Sequence, residues 1–143
     1  MVDVRLWGKM CEMVDVFEEI IQKSTILIHK SRYAYLKTTQ RQLHNHFFVS
    51  QDKDEITIVT AEENLAFTKY EQAVKWFKLI EIKVSEPFVP GFIAKVTNII
   101  APTGANTLVI CTFSKDYILT REEHVEKVVS ALKHAGFLVS VEE

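Results

Sequence analysis

The first candidates for chemistry in this 143-residue chain are two histidines, His44 and His46, which stand two positions apart beside a predicted strand. A zinc site would need at least a third protein ligand and neighbouring groups that orient the histidines. No cluster of Cys, Asp or Glu follows nearby in the sequence. We therefore interpret both histidines as surface or interface residues, and we predict no metal and no other cofactor. An enzyme that uses this region stays as an alternative, although no acid–base constellation accompanies it.

The two cysteines, Cys11 and Cys111, are candidate nucleophiles that lie far apart in the sequence. They form no CxxC pair and no disulfide framework, which is typical of proteins in a reducing cytoplasm. Cys111 falls inside an apolar run, so we expect it to be a small buried hydrophobe. The chain has only 4 glycines, and it contains no GxSxG, P-loop or GxGxxG sequence. These patterns predict a protein that is not an enzyme.

The stretch from Glu86 to Ile93 predicts a binding site of another kind, because it joins a strand to a helix. We expect Pro90 in the first helical turn, where its fixed φ is favourable, and Gly91 beside it has no side chain to screen the backbone. The free N–H groups and the positive end of the helix dipole would suit an anion such as a carboxylate. The sequence therefore favours a small-molecule binding module.

Composition narrows the class of protein. Apolar residues make up 48% of the chain, which is enough for a proper core. The formal net charge is −2, with scattered Lys and Arg, so we predict no nucleic-acid partner. The first residues lack a basic region followed by an apolar one, so we expect no signal peptide and a cytoplasmic protein. No run of about 18 apolar residues occurs, so we expect no membrane association.

The spacing of apolar residues predicts the elements that position the Glu86–Ile93 stretch. A helix is expected from Lys9 to Lys23. Thr68 and Glu71 are typical of a capping box, which predicts a second helix from Lys69 to Lys78. The helix after Gly91 should end at Ala101, and a last helix should run from a capping box at Thr120 to His134. The segment Thr25–Thr38 is predicted to be one long strand or two short ones around Lys30 and Ser31. The other predicted strands are His46–Ser50, Glu55–Thr60, Leu79–Val84, Thr107–Phe113, Tyr117–Thr120 and Phe137–Glu142. The apolar strand that contains Cys111 is expected to be covered on both faces.

The order of these elements from Leu79 to Val141 is βαββαβ, which is the ferredoxin-like split βαβ unit. The order before it resembles a degenerate copy that has lost its first helix. We predict an α+β fold of two ferredoxin-like units with an extra N-terminal helix. The boundaries would be 1–23 for the helical segment, 24–78 for the degenerate unit and 79–143 for the complete unit.

Three stretches of the sequence resemble the ACT domains of the aspartate-kinase regulatory and Castor arginine-sensor group. They are Asp54–Val59, Ile99–Pro102 and Val109–Thr120. The resemblance implies two ACT units that bind small effectors, most often amino acids, at an interface between units. By position, it implies a ligand site of Ser85, Glu86, Phe88, Val89, Pro90, Gly91, Phe92 and Ile93, facing Thr112, Phe113 and Asp116. It also implies a homodimer or higher homo-oligomer.

In such a site the helix N-terminus would hold an α-carboxylate, and Glu86 or Asp116 would hold an α-ammonium group or a basic side chain. The functional prediction is a regulatory protein in which the effector favours one packing of the units or of the oligomer, with a protein partner that prefers one of these packings. The alternative is an interaction or scaffold protein with a vestigial pocket, whose N-terminal helix docks to a partner.

Overall fold

Two long strands, β1 (Thr25–Thr38) and β4 (Gln72–Lys83), pair antiparallel in the middle of one curled sheet. The computed structural model describes Arg5 and residues 16–42, 45–86 and 89–143. Among these residues the fold is α+β, with seven strands in one sheet. The other strands are β2 (Phe48–Gln51), β3 (Ile56–Ala61), β5 (Thr107–Cys111), β6 (Asp116–Arg121) and β7 (Leu138–Val141).

Helices cover one face of the sheet. They are α1 (residues 16–23), α2 (Phe92–Ile100) and α3 (Val125–His134). Short 3-10 helices occupy Glu62–Phe67, Ala101–Thr103 and Glu122–His124. The described part of the predicted Lys9–Lys23 helix is helical, and its residues 9–15 lie outside the described ranges. No helix in the described ranges is long and apolar enough to cross a membrane.

The order of strands across the sheet is β2-β3-β1-β4-β6-β5, and β7 pairs with the start of β1 in parallel. The predicted βαββαβ order is therefore present as β4, α2, β5, β6, α3 and β7. The first four residues of β1 lie between β7 and β4, which binds the N-terminal part of the chain into this unit. The predicted boundary between residues 78 and 79 lies inside β4, and the division of the chain into two units stays a prediction.

The predicted helix Lys69–Lys78 is wrong, because most of this segment belongs to β4. The register between the two long strands explains the error. Tyr35 pairs with Val74 and Tyr33 pairs with Phe77, so three residue steps of β4 lie against two steps of β1. Because of this bulge, Val74 and Phe77, which are three residues apart, lie on the same face of the strand. The same spacing is typical of a helix.

The capping box predicted for that helix is also absent. The hydroxyl of Thr68 donates a hydrogen bond to the carbonyl of Asn64 at 2.8 Å. The carboxylate of Glu71 accepts from the backbone N–H and the hydroxyl of Thr39, at 3.2 and 2.9 Å. Both side chains therefore fasten loops to neighbouring elements and do not begin a helix.

The main core lies between the sheet and helices α1, α2 and α3. Its buried residues are aliphatic apart from two phenylalanines, Phe92 and Phe137, whose rings meet edge to face. The cluster consists of Ile20, Ile21, Ile26, Ile80, Ile82, Phe92, Val96, Ile100, Ile118, Val128, Leu132 and Phe137. A helix layer over an antiparallel sheet is the usual way to bury such a face. This core fixes the start of α2 relative to the end of β4.

The other face of the sheet is concave and rich in aromatic residues. Phe77, Leu79, Tyr117 and Leu119 are buried there, with the ring of Phe47 4.8 Å from that of Tyr117. Because this face curls on itself, the β2–β3 hairpin packs against the β5–β6 hairpin without an intervening helix.

The two hairpins repeat at an interval of 60 residues. Gln51 pairs with Ile56 in the first, and Cys111 pairs with Asp116 in the second. Each hairpin leads into a 3-10 helix that begins with two glutamates. The guanidinium of Arg32 lies between these helices, 2.9 Å from Glu62 through Nε and 3.5 Å from Glu122 through Nη1.

Candidate functional site

A cavity of about 210 Å³ lies between the loop after β4, the start of α2 and the β5–β6 turn. We name it the α2 cavity. Seven of the eleven predicted site residues line it, namely Glu86, Val89, Phe92, Ile93, Thr112, Phe113 and Asp116. Four further residues complete the wall, namely Val84, Cys111, Ser114 and Lys115. The structure therefore brings most of the predicted residues together around one space.

Three predicted residues do not line the α2 cavity, and Phe88 lies outside the described residues. Ser85 instead ties the loop to the end of α1. Its backbone N–H donates to the hydroxyl of Ser24 at 3.0 Å, and its own hydroxyl donates to the carbonyl of Ile20 at 3.3 Å. Pro90 and Gly91 precede the helix, which begins at Phe92, so Pro90 is not in the first helical turn as predicted.

Gly91 is the N-cap of α2 and adopts a left-handed conformation, with φ +81°. Its carbonyl accepts the N–H of Lys95 at 3.0 Å, and the carbonyl of Val89 accepts the N–H of Phe92 at 3.3 Å. Within the described ranges, no side chain caps this terminus and no acidic residue occupies the first turn. The terminus thus keeps the positive end of the helix dipole at the edge of the cavity.

The opposite wall is the β5–β6 turn, which internal hydrogen bonds hold in place. The backbone N–H and the hydroxyl of Thr112 both donate to the carbonyl of Lys115, at 2.9 and 3.1 Å. Phe113, at the tip of the turn, is 88% exposed. The Thr112 hydroxyl is used as a donor in the turn, which leaves its oxygen able to accept a hydrogen bond from a ligand.

The ammonium group of Lys115 forms an ion pair with Glu81, on the concave face of the sheet. Glu81 is only 8% exposed, and its Oε2 lies 2.8 Å from Nε2 of His29. Burial alone would raise the pKa of Glu81, but the hydrogen bonds from Lys115 and His29 outweigh it and hold the pKa below its usual value. The same contact with Glu81 raises the pKa of Lys115. The charge of Lys115 is therefore balanced by Glu81, which does not line the cavity.

The two carboxylates of the cavity, Glu86 and Asp116, have no salt bridge to any described residue. Glu86 lies close enough to Lys23 to contribute to the raised pKa of that lysine. Since Lys115 is already paired, the remaining charge of the cavity is negative. Apolar walls from Val89, Phe92 and other residues surround these carboxylates.

Cys111 is exposed, so the prediction that it is a buried residue of a strand covered on both faces is wrong. The reason is that, among the described strands, β5 pairs with β6 alone and forms an edge of the sheet. The thiol itself is partly desolvated and lies beside Asp116, and these two effects raise its pKa to about 11. The thiol stays protonated at neutral pH, which does not suit a nucleophile.

Of the two histidines considered for metal binding, the structure describes only His46. His46 is half-buried, with Nδ1 2.9 Å from the hydroxyl of Thr60, and His44 lies outside the described residues. Within the part of the chain that the structure describes, no three His, Cys, Asp or Glu side chains lie together as a metal site.

Sequence reasoning missed the network of His29, Glu81 and Lys115. One signal for it was available, because the alternation along β4 places Glu81 on the same face as the buried Leu79. A carboxylate on an apolar face usually has a charged partner. The identity of that partner was not predictable, since Lys115 is distant in sequence.

Residues 74–134 match the family model of the ACT domain. No curated protein sequence matches this chain. A Vibrio cholerae protein of unknown function, described as a possible transport protein, has a similar structure with a TM-score of 0.75 at 17% identity, over 86% of this chain and 98% of its own. An Agrobacterium tumefaciens protein gives 0.64 at 21% identity, over 84% and 94%.

The regulatory subunit of aspartate kinase from Thermus thermophilus, in its ligand-free form, gives a TM-score of 0.57 at 13% identity, over 77% of this chain and 95% of its own. At such identities these structures show a common fold alone. The tandem arrangement and the grouping with the Castor sensors stay predictions. The chain has a ferredoxin-like fold with an added helix, similar to the fold of the aspartate-kinase regulatory subunit, and its residues 74–134 match the ACT domain.

Proposed function

We propose that this chain is a non-enzymatic, cytoplasmic regulatory protein that binds an amino acid in the α2 cavity. The observation that carries the proposal is the chemistry of the cavity wall. A helix N-terminus and two carboxylates, none of which has a capping or salt-bridge partner among the described residues, surround one space of about 210 Å³ together with an apolar lining. Pockets for drug-sized ligands are larger, roughly 300–1,000 Å³, so this cavity suits a ligand of amino-acid size.

The polar groups of an amino acid have complementary partners in this cavity. The α-carboxylate would accept hydrogen bonds from free N–H groups at the start of α2. The α-ammonium group would pair with Asp116 or Glu86, since neither carboxylate is in a salt bridge within the described residues. The side chain would then lie against Val89 and Phe92, which are apolar parts of the wall.

Two connections would carry occupancy of the cavity to the rest of the fold. Ser85 links the loop before α2 to the end of α1 through Ser24 and Ile20. Lys115 links the β5–β6 turn to Glu81 on the concave face. A ligand that pulls both walls together would favour one packing of these parts. It would thereby favour a homo-oligomer or a complex with a protein partner that prefers this packing.

The second candidate is an interaction or scaffold protein with a vestigial cavity. It is favoured by a wide groove of about 570 Å³ at the end of β1, β3 and β4. Tyr35 and Val74 form its apolar part, and an ion pair of 3.2 Å between Lys37 and Glu55 forms its charged part. Such a mixed surface is typical of contacts between proteins.

A thermal-shift panel of the twenty amino acids separates the two candidates. A ligand at about 100 times its Kd adds roughly 2.7 kcal/mol to the free energy of unfolding, which is a rise of several degrees in Tm for a chain of this size. We expect Asp116→Asn to reduce the shift, and the matched control Asp54→Asn, in the β2–β3 turn, to keep it.

An absence of shift for every amino acid would favour the scaffold. A shift that Asp116→Asn and Glu86→Gln both leave unchanged would contradict binding in the α2 cavity. Sedimentation of the wild-type protein with and without the active amino acid then tests whether its oligomeric state responds.

A further inference from the structure

A second cavity, of about 190 Å³, lies on the β2–β3 hairpin. We name it the Arg41 cavity. It is lined by Arg41, Gln42, Val49, Gln51, Ile56 and Ile58. Its position in the fold corresponds to that of the α2 cavity. Gln51 and Ile56 form the pair that stands 60 residues before Cys111 and Asp116, and these two later residues line the α2 cavity.

The segment that covers the Arg41 cavity is fixed in place without a helix. The side-chain amide of Gln42 donates to the carbonyl of Lys69 at 2.6 Å, and its oxygen accepts the N–H of Lys69 at the same distance. This reciprocal pair fastens the chain after β1 to the chain before β4. The amide of Gln42 is thereby occupied, so among the described lining residues Arg41 supplies the charged group, with the amide of Gln51 beside it.

Arg41 is held over the cavity by a hydrogen bond from its Nε to the Oε1 of Gln51, at 3.0 Å. The two terminal nitrogens of the guanidinium form no hydrogen bond or salt bridge with the described residues. The guanidinium is thus held through Nε, and both of its terminal nitrogens stay open. Two parallel N–H groups on one edge of a guanidinium can bind the two oxygens of a carboxylate. Among the described residues that line this cavity there is no carboxylate.

The remainder of the cavity is apolar. Ile56 and Ile58 are 5% and 1% exposed and form its floor, and Val49, 53% exposed, forms its rim. The charge is the reverse of that in the α2 cavity, because Ile56 occupies the position that corresponds to Asp116. An α-ammonium group would meet a guanidinium here and no acid from the described part of the chain, so this cavity disfavours an amino acid.

We infer that the Arg41 cavity binds a small aliphatic monocarboxylate that has no amino group. The carboxylate pairs with the terminal nitrogens of Arg41, and a short branched chain rests on Ile56 and Ile58. This site is separate from the α2 cavity, and its occupancy does not depend on an amino acid being bound there.

The test is a titration of the full-length, isotopically labelled chain with isovalerate, followed by amide chemical shifts. Isovaleramide and isoamylamine serve as neutral and cationic probes of the same shape. We expect saturable shifts in residues 48–58 with isovalerate alone. Arg41→Gln should weaken binding by about tenfold or more, the equivalent of losing one charged pair. Lys53→Gln, which removes an exposed cation from the same hairpin, should leave the affinity unchanged.

A second variant, Val49→Asp, places a carboxylate at the exposed rim and should also abolish binding. Asp116→Asn, in the α2 cavity, should not alter isovalerate binding, which separates this inference from the proposed amino-acid site. Equal affinity for isovaleramide, full binding by Arg41→Gln, or shifts confined to residues 84–93 and 111–116 would each overturn the inference.

Discussion

Substituting Glu81 by Gln tests the charged network that connects the α2 cavity with the concave face of the sheet. Glutamine has the same shape, but its amide group faces His29 and Lys115 without a negative charge. Lys115 is exposed enough to turn towards water, so we assign it no part of the cost. We assign the cost to the buried hydrogen bond with His29. Replacing the charged carboxylate by a neutral amide in that bond costs about 1–2 kcal/mol. For a chain of this size, that corresponds to a fall in Tm of roughly 3–8 °C.

The dependence of this loss on pH is a sharper test. The pKa of Glu81 in the folded chain is below its ordinary value of 4.5. A carboxyl group with a lowered pKa contributes stability that is fully present above the ordinary pKa and is lost as pH falls through the folded pKa. The wild-type advantage over Glu81→Gln should therefore shrink as pH falls below about 4.5.

Urea unfolding of both proteins across this pH range measures the difference, with Glu18→Gln on the exposed surface of α1 as the control. Equal stability of wild type and Glu81→Gln at pH 7 would refute the reasoning. A difference that stays the same down to about pH 3 would refute the assignment of the effect to an ionised carboxylate.

Three other predictions concern single sites. In the same urea assay, Gly91→Val should lower the free energy of unfolding by more than about 1 kcal/mol, because φ is +81° and the new side chain meets α1. Gly104→Val, which is also at positive φ but in open space, should lower it by less. Leu132→Ala, in the centre of the helix-covered core, should cost about 2–5 kcal/mol in that assay, and a cost below about 1 kcal/mol would contradict its burial. Cys111 should react slowly with iodoacetamide at pH 7.5 in a chain whose other cysteine is replaced by serine. Asp116→Asn should speed this reaction by lowering the pKa of the thiol. An unchanged rate would show that desolvation alone raises the thiol pKa.

The elements that the sequence predicted correctly are those with strong local patterns. The stripe after Gly91 begins a helix at Phe92, which ends at Ile100 against an expected end at Ala101. The two hairpins also agree with the structure, and the last helix ends at His134 as predicted. In each case apolar spacing and turn residues act over fewer than about 15 residues, so neighbours in sequence decide the outcome. The last helix begins at Val125, however, and the predicted capping box is wrong, because Thr120 belongs to β6 and its hydroxyl caps no helix in the described ranges.

The segment that failed shows where local reasoning ends. Tyr70, Ala73, Val74 and Phe77 satisfy a helical stripe, yet a bulge lets Val74 and Phe77, three residues apart, lie on the same face of strand β4. Pairing with β1 overrides the local preference, because the long strand gains partners along its length.

The wall of the α2 cavity was predictable as two short stretches, but its electrostatic balance was not. Lys115 lines the cavity, yet its charge is taken by Glu81, which belongs to a different strand and a different face. Only the pairing of β4 with β6 brings them together. The negative character of the cavity is therefore a property of the tertiary structure.

The most direct test of the central claim is a map of amide chemical shifts as amino acids are added to the labelled wild-type chain. Binding in the α2 cavity predicts that at least one amino acid produces saturable shifts in both walls, residues 84–93 and 111–116, and that Asp116→Asn weakens them. No shifts with any of the twenty amino acids, or shifts that avoid both walls, would contradict the proposed function.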